Sequence, residues 1–471
     1  MGRKMRWAVV SGDGLPVSGL LTIFRNVVDR ARDADLLEFP VTADLGYSWR
    51  ADKQRFFPRG LPGAEYPSWL QVSDAVPVSV DPARWMEKLD TIRRTVAAAE
   101  ELDEAEAAGL RREIETYSEH YEKYFYDWFT EHDVDWVVAI NLTLSDAVPV
   151  TTALHRAAAR RWAGDRPGGV LYWDHDLFGS CAIFEDGKRF YPAAPNDFTP
   201  VPGTTESDRW AVVSPALLTE ARKYPSELEP ELLTNVLPLV PGGPLESRHQ
   251  EFLAERDIEP DRPVVLVPVR VFAVKGVDIS VRVFAGVRDE CARLGVPDPV
   301  LLVFGSLDEE PGYADVVREA VAETDVADAV RFLDGVPISS HRDSAGAWQL
   351  DEIDLVRVAR ASHGAVLFTP SCVDVETVGL GPALAALAGI PCAVTPYDAF
   401  ADHFGPGFSR VEVDPEDPRP AGHDLAHQLS ALREGDESLT AAMRANLARV
   451  EERFPDGPWT TFLTAMADGT A

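Results

Sequence analysis

Cysteine is scarce in this 471-residue chain: Cys181, Cys291, Cys372 and Cys392 lie far apart, with no CxxC pair. That spacing builds neither a disulfide framework nor a thiolate zinc site, and it fits a reducing, cytoplasmic setting. Positive charge is also short, with 45 Lys and Arg against 77 Asp and Glu and a formal net charge of −32. Such a chain repels phosphate backbones and anionic lipid, so nucleic acid and membrane are poor partners, although one locally basic pocket can still take an anionic small ligand. Long apolar runs are missing too: no window approaches the ~18 residues of a membrane-spanning helix. The start, residues 1–10, is basic and then apolar like a leader. Its apolar run stops before Ser11-Gly12-Asp13-Gly14, and it reads as a first buried strand.

What is present is the composition of an ordinary folded enzyme, 45% hydrophobic and 26% charged. At ~150 residues per domain the length accommodates two or three domains. Short β-branched runs alternate with helix-period segments. Strands are expected at residues 7–10, 36–41, 136–140, 170–173 and 210–213, and a helix carries Leu20, Ile23, Phe24, Val27, Val28 and Ala31 on one face. Residues 82–132 lack strand signals and read as long helices inserted into this first unit. Their aromatics (Tyr117, Tyr121, Tyr124, Phe125, Trp128, Phe129) form a packing stripe. After the Pro- and Gly-rich residues 238–244 a second series begins, with strands at 264–269, 300–304, 330–333, 365–368, 392–394 and 410–413 and helices between them. The expectation is an α/β protein with two Rossmann-like, doubly wound domains facing a cleft: residues 1–240, residues 241–435, and C-terminal helices over 436–471 that cross back to the first domain.

Four features carry chemistry, all at expected strand ends. The strand at 264–269 ends in Arg270, and Lys275-Gly276 follow; two cations there can neutralise a departing diphosphate. The segment from Thr369 to Pro391 runs from a strand through Glu376 and Gly379 into an Ala/Leu helix, whose N-terminus offers amides to a phosphate while Glu376 can receive sugar hydroxyls. Trp173-Asp174-His175-Asp176 follows the strand at 170–173. Its Asp-x-Asp spacing is also that of the metal-diphosphate motif of another architecture, GT-A, a reading given low weight. Finally, Asp13–Gly19 joins the first strand and helix; it is weak as a Rossmann fingerprint, because Gly12-x-Gly14 is followed by Val17 rather than a third glycine, and Ser18 can cap the helix.

Arg270, Lys275-Gly276, Pro370-Ser371 ahead of an acid and Gly379…Gly389-x-Pro391 resemble the donor half of the retaining GT-B glycosyltransferases of the glycogen-synthase and sucrose-synthase type, the group 1 glycosyl transferases. The resemblance extends through residues 330–336 and 354–362 and covers about 260–400 well, the first half only loosely. It departs at one place: in the family's Glu-x7-Glu motif, counting from Glu376, the second acid is replaced by Leu384.

The resemblance implies a metal-independent transfer of a sugar from a nucleotide diphosphate with retention of configuration. His175, Arg270, Lys275 and Glu376 would be the catalytic residues. Ser18, Gly19, Val336, Thr377, Val378, Gly379 and Leu380 would bind the donor. No cofactor or metal is called for. The acceptor is expected to be a soluble small molecule of specialised, natural-product metabolism, bonded through O, N or S. Tyr47 and Trp49 in the aromatic and cationic segment 46–57, together with Asn141, are assigned to it. A homo-oligomer is compatible with the sequence. Two rivals are a pseudo-glycosyltransferase coupling a nucleotide-activated cyclitol and a non-catalytic nucleotide-sugar-binding protein, the latter favoured only by Leu384.

Overall fold

The computed structural model describes residues 4–12, 19–50, 66–73, 82–144, 146–164, 166–181, 184–185, 187–374 and 376–469. The chain divides into two units: Met1–Val236 with Asp456–Ala471, and Leu237–Pro455.

Unit 1 contains β1 (Met5–Ser11), α1 (Gly19–Asp33), β2 (Leu37–Asp44), β3 (Leu70–Val72), α2 (Pro82–Ala97), α3 (Glu104–Glu131), β4 (Trp136–Ile140), α4 (Val148–Arg161) and β5 (Gly169–Asp174). A hairpin, β6 (Phe184–Glu185) and β7 (Lys188–Arg189), precedes β8 (Asp208–Val212), α5 (Pro215–Ala221) and β9 (Glu231–Leu232). Seven strands form one sheet in the order β3-β2-β1-β4-β5-β8-β9, and every pairing is parallel. The central strands are buried throughout, so continuous Val/Ala/Ile/Trp runs suit them better than alternation. Inserted helix α3 starts at a capping box, in which Asp103 accepts from Ala105 N and Glu106 N and Glu106 returns a carboxylate to Asp103 N. Its aromatic stripe packs as expected: Tyr121, Phe125 and Phe129 are buried, and Trp85 of α2 stacks on Tyr121.

Unit 2 contains α6 (Ser247–Ala254), β10 (Val264–Val267), α7 (Val277–Leu294), β11 (Val300–Val303), α8 (Pro311–Glu323), β12 (Val330–Phe332), β13 (His341–Arg342), β14 (Trp348–Gln349), α9 (Glu352–Ala361), β15 (Ala365–Phe368), α10 (Gly381–Ala388), β16 (Cys392–Val394), α11 (Phe400–Phe404), β17 (Val411–Glu412), α12 (Arg419–Glu434) and α13 (Glu437–Arg453). Its main sheet runs β12-β11-β10-β15-β16-β17, again all parallel. In each sheet the order reverses once beside the first strand, between β1 and β4 and between β10 and β15. Those reversals are where doubly wound sheets open a crevice at the strand carboxyl ends.

Two boundaries differ from expectation. The Pro-rich residues 238–244 belong to unit 2, because α9 holds them: Arg360 Nη1 donates to Pro241 O at 3.2 Å and Arg357 Nη2 to Pro244 O at 3.1 Å. The return to unit 1 begins at Asp456 rather than 436. Helix α13 packs on α10 and α11 within unit 2, and only α14 (Gly457–Asp468) joins unit 1. There Arg30 Nε donates to Asp456 Oδ2 at 2.7 Å, and Trp459 Nε1 to Thr234 O at 2.8 Å.

Candidate functional site

In unit 2 two loops flank the sheet's reversal point, residues 268–276 after β10 and residues 369–380 after β15, and short hydrogen bonds stitch them together. Ser371 Oγ donates to Ala273 O at 2.7 Å, Ser371 N to Val274 O at 3.1 Å, and Thr369 Oγ1 to Gly276 O at 2.8 Å. Gly276 permits this approach. Its φ is +60°, and a Cβ there would stand 2.0 Å from Thr369 O.

Both expected cations sit in the first loop, each against a carboxylate. Lys275 Nζ donates to Glu376 Oε1 at 2.5 Å, which joins the first loop to the second. Arg270 Nε donates to Glu309 Oε1 at 3.1 Å, and Phe272 lies under its guanidinium at 4.6 Å. The second loop is shaped from behind: Tyr397 OH donates to Val378 O at 3.1 Å, and His403 Nε2 to Thr377 O at 2.9 Å. Helix α10 then begins after Leu380 with no side chain capping it, which leaves its N-terminal dipole end to a ligand.

Lys275, Glu376, Thr377, Val378, Gly379 and Leu380 are therefore brought together, and Arg270, on the same loop as Lys275, is held against the loop after β11 by Glu309. The Val378 side chain is buried, so only its backbone can serve a donor. Val336 is buried beyond β12, where Gly335 N donates to Phe304 O at 2.9 Å. Leu384 is 3% exposed inside α10, a packing residue with no free face for a ribose. Sequence reading missed Glu309 and Glu310, two acids after β11 that look like ordinary surface charges in sequence.

In unit 1 the carboxyl ends of β4 and β5 meet at Asn141. In the left-handed conformation, φ +56°, its Oδ1 accepts from His175 N at 2.6 Å and Asp176 N at 3.1 Å, and its Nδ2 donates to Asp176 Oδ2 at 3.2 Å. Asn141, expected to meet an acceptor, here fixes the turn that carries His175. The His175 ring lies against Trp173, 4.6 Å between centroids, and its buried Nε2 has no hydrogen-bond partner among the described residues. Burial drives its pKa down to about 3, so it is neutral across the working range.

Asp174 and Asp176 hold different partners. Asp174 accepts from Trp210 Nε1 at 2.9 Å and Thr143 N at 3.4 Å, whereas Asp176 serves Asn141. Tyr47 and Trp49, also expected at the acceptor, are buried: Tyr47 OH pairs with Tyr66 OH at 2.9 Å, and Trp49 lies beside Gly12. Both rings follow a turn directly after β2, in which Trp49 N and Arg50 N donate to Gly46 O. Gly19 is the exposed first residue of α1. Ser18, the rest of the 13–18 loop and residues 51–57 lie outside the described residues.

A third residue that sequence reading missed is Asp44, at the end of β2. It accepts from Ser48 Oγ at 2.6 Å, Tyr124 OH at 3.0 Å and Gly46 N at 3.1 Å. Burial pushes Asp44 up to about 6 and Asp174 to about 7. A carboxyl group whose pKa is raised on folding stabilises the fold fully below its unfolded value, and that stability is lost as pH rises through the folded value. These two groups therefore weaken unit 1 between about pH 4 and 7. His175, pushed the other way, weakens it as pH falls below its ordinary value. Asp174→Asn isolates one group: its unfolding midpoint relative to wild type should climb from pH 4 to pH 8. An offset independent of pH would show that Asp174 titrates as in the unfolded chain.

No protein-family model matches the sequence, and no curated protein matches it. Solved structures do. Sucrose-phosphate synthase from Thermosynechococcus elongatus aligns at 14% identity and TM-score 0.58, over 99% of this chain and 98% of its own. A glycosyltransferase from Rickettsia africae aligns at 13% and 0.56, over 99% of both. The Anabaena protein HepE, solved with UDP and glucose, aligns at 12% and 0.54, over 98% of this chain and 99% of its own. The fold is GT-B. Within it, the Arg270–Glu376 cluster lies on the second unit, the half that the sequence resemblance gave to the donor.

Proposed function

We propose that this GT-B protein is a glycosyltransferase that moves a sugar from a nucleotide diphosphate to a soluble small-molecule acceptor, with retention and without a metal. The observation that carries the reading is the convergence of Arg270, Lys275, Glu376 and the start of α10 on the reversal point of one parallel sheet. As the glycosidic bond to phosphate breaks, the leaving diphosphate gains charge. Two side-chain cations and the backbone amides of residues 377–380 answer it in place, with little reorganisation. Glu376, aimed by Lys275, accepts hydrogen bonds from sugar hydroxyls. His175, being neutral, positions rather than protonates. The departing phosphate takes the acceptor proton on the face it leaves, which makes a strong protein base unnecessary and gives retention.

The test begins with thermal shift against UDP, GDP, ADP and dTDP and their sugars, followed by nucleotide release in the presence of EDTA. At least one nucleotide should raise the midpoint, and turnover should survive chelation, since Arg270 and Lys275 do the work of the ion. Complete loss that added metal reverses would move the chemistry to Asp174 and Asp176. Stabilisation by none of the nucleotides would sink the donor site.

A further inference from the structure

We propose that Glu309 is the positioning residue for Arg270 and that, through it, the site prefers a nucleoside diphosphate over a monophosphate. This rests on the donor reading above. The Glu309 side chain is only 2% exposed. A carboxylate buried that deeply is tolerated only when its oxygens are paired. One oxygen accepts from Val271 N at 2.6 Å and the other from Arg270 Nε at 3.1 Å. The guanidinium is thus held through the nitrogen nearest its stem, with the Phe272 ring at 4.6 Å from Cζ.

Glu310 repeats the device one step on, accepting from Ala273 N at 2.8 Å. Gly305 leaves room for the arrangement: a Cβ there would fall 2.5 Å from Val271 N and 2.8 Å from both Arg270 Cα and Glu309 Oε2. The loop after β11 is therefore built to clamp the loop after β10. An arginine left loose keeps its charge but must be ordered by each ligand, which costs conformational entropy. Fixed in advance, its directional donors reward the phosphate placed to meet them, the terminal one of a diphosphate.

The measurement is the ratio of monophosphate to diphosphate dissociation constants by calorimetry, with UMP/UDP, GMP/GDP, AMP/ADP and dTMP/dTDP, using the pair that wild type binds. Glu309→Ala should shrink that ratio about tenfold while leaving monophosphate affinity alone. Glu309→Asp keeps the charge but is one methylene too short to reach both partners, so it should shrink the ratio similarly. Glu309→Gln keeps the length but puts an NH2 group in place of one of the two acceptor oxygens, facing Val271 N or Arg270 Nε, so it too should shrink the ratio. A merely structural role would lower the midpoint without moving the ratio.

A wild-type ratio in Glu309→Ala would show that Glu309 does not set the preference and would overturn the proposal. So would a wild-type ratio in Glu309→Asp when Arg270→Ala abolishes the preference, with the donor reading left standing. A preference that survives Arg270→Ala would show that Lys275 and the 377–380 amides carry it and would overturn the proposal, whereas a wild type that binds none of these nucleotides would defeat the donor reading itself.

Discussion

Arg270→Ala and Lys275→Ala should each lower turnover by on the order of 10²-fold or more, the usual cost of removing one preorganised contact to developing negative charge. The two losses have different origins. Arg270 is rooted in Glu309 and Phe272, so its removal takes away a fixed donor. Lys275 also aims Glu376, so its removal leaves a 9% exposed carboxylate without its ion pair and loosens the seam between the two loops. Lys275→Ala should therefore raise donor KM as well as lower kcat, whereas Arg270→Ala should act chiefly on kcat. On the proposed mechanism both cations meet one leaving group, so the double variant should fall short of the product of the single effects. Steady-state nucleotide release with the donor found by thermal shift, checked against unfolding midpoints, reads these outcomes. Wild-type turnover in both variants would remove the pair from the reaction.

The local cations matter more because the rest of the chain opposes them. A net charge of −32 makes the molecule as a whole unwelcoming to a diphosphate. Arg270 and Lys275 are paired with Glu309 and Glu376 and kept in place, and on the proposed reading an entering phosphate shares them instead of recruiting them from solution. On that reading selectivity resides in geometry rather than in a broad positive field.

The parts of the architecture legible in sequence are those dictated by burial. Strands of a parallel sheet are covered on both faces, so runs such as Val264–Val267 and Trp136–Ile140 stand out from helical periodicity without any partner being known. Short edge pieces leave no such trace: Leu70–Val72, Glu231–Leu232 and the hairpin of His341–Arg342 with Trp348–Gln349 owe their strand geometry to neighbours. The same limit applies at the site. Arg270 and Lys275 could be found because they follow a readable strand. Glu309 could not, because its importance comes from a loop contact across 39 residues. Tyr47 and Trp49 misled for the converse reason. Aromatics beside cations look like a ligand surface in one dimension, but both rings, which follow the Gly46 turn, are buried.

Trp459→Ala should cost about 3–5 kcal/mol of stability, the usual range for truncating a buried tryptophan. Trp459 is 1% exposed although it lies more than 200 residues after the strands it supports. Its ring meets Trp173 edge-on at 4.8 Å, and Trp173 in turn contacts His175 at 4.6 Å. Its Nε1 satisfies Thr234 O, so truncation leaves both a cavity and a lost hydrogen bond. Chemical denaturation measures the loss. The chain leaves unit 1 at Val236 and re-enters at Asp456, so α14 belongs to a fold whose remainder is complete in sequence long before it. If α14 is integral to unit 1, the variant should unfold earlier and the near-ultraviolet signal of the remaining tryptophans, Trp173 among them, should change even before unfolding. Turnover should fall too, because the wall behind His175 is lost. Unchanged stability would mean that α14 only rests on unit 1, and that the packing of Trp173 against His175 is maintained from within residues 1–236.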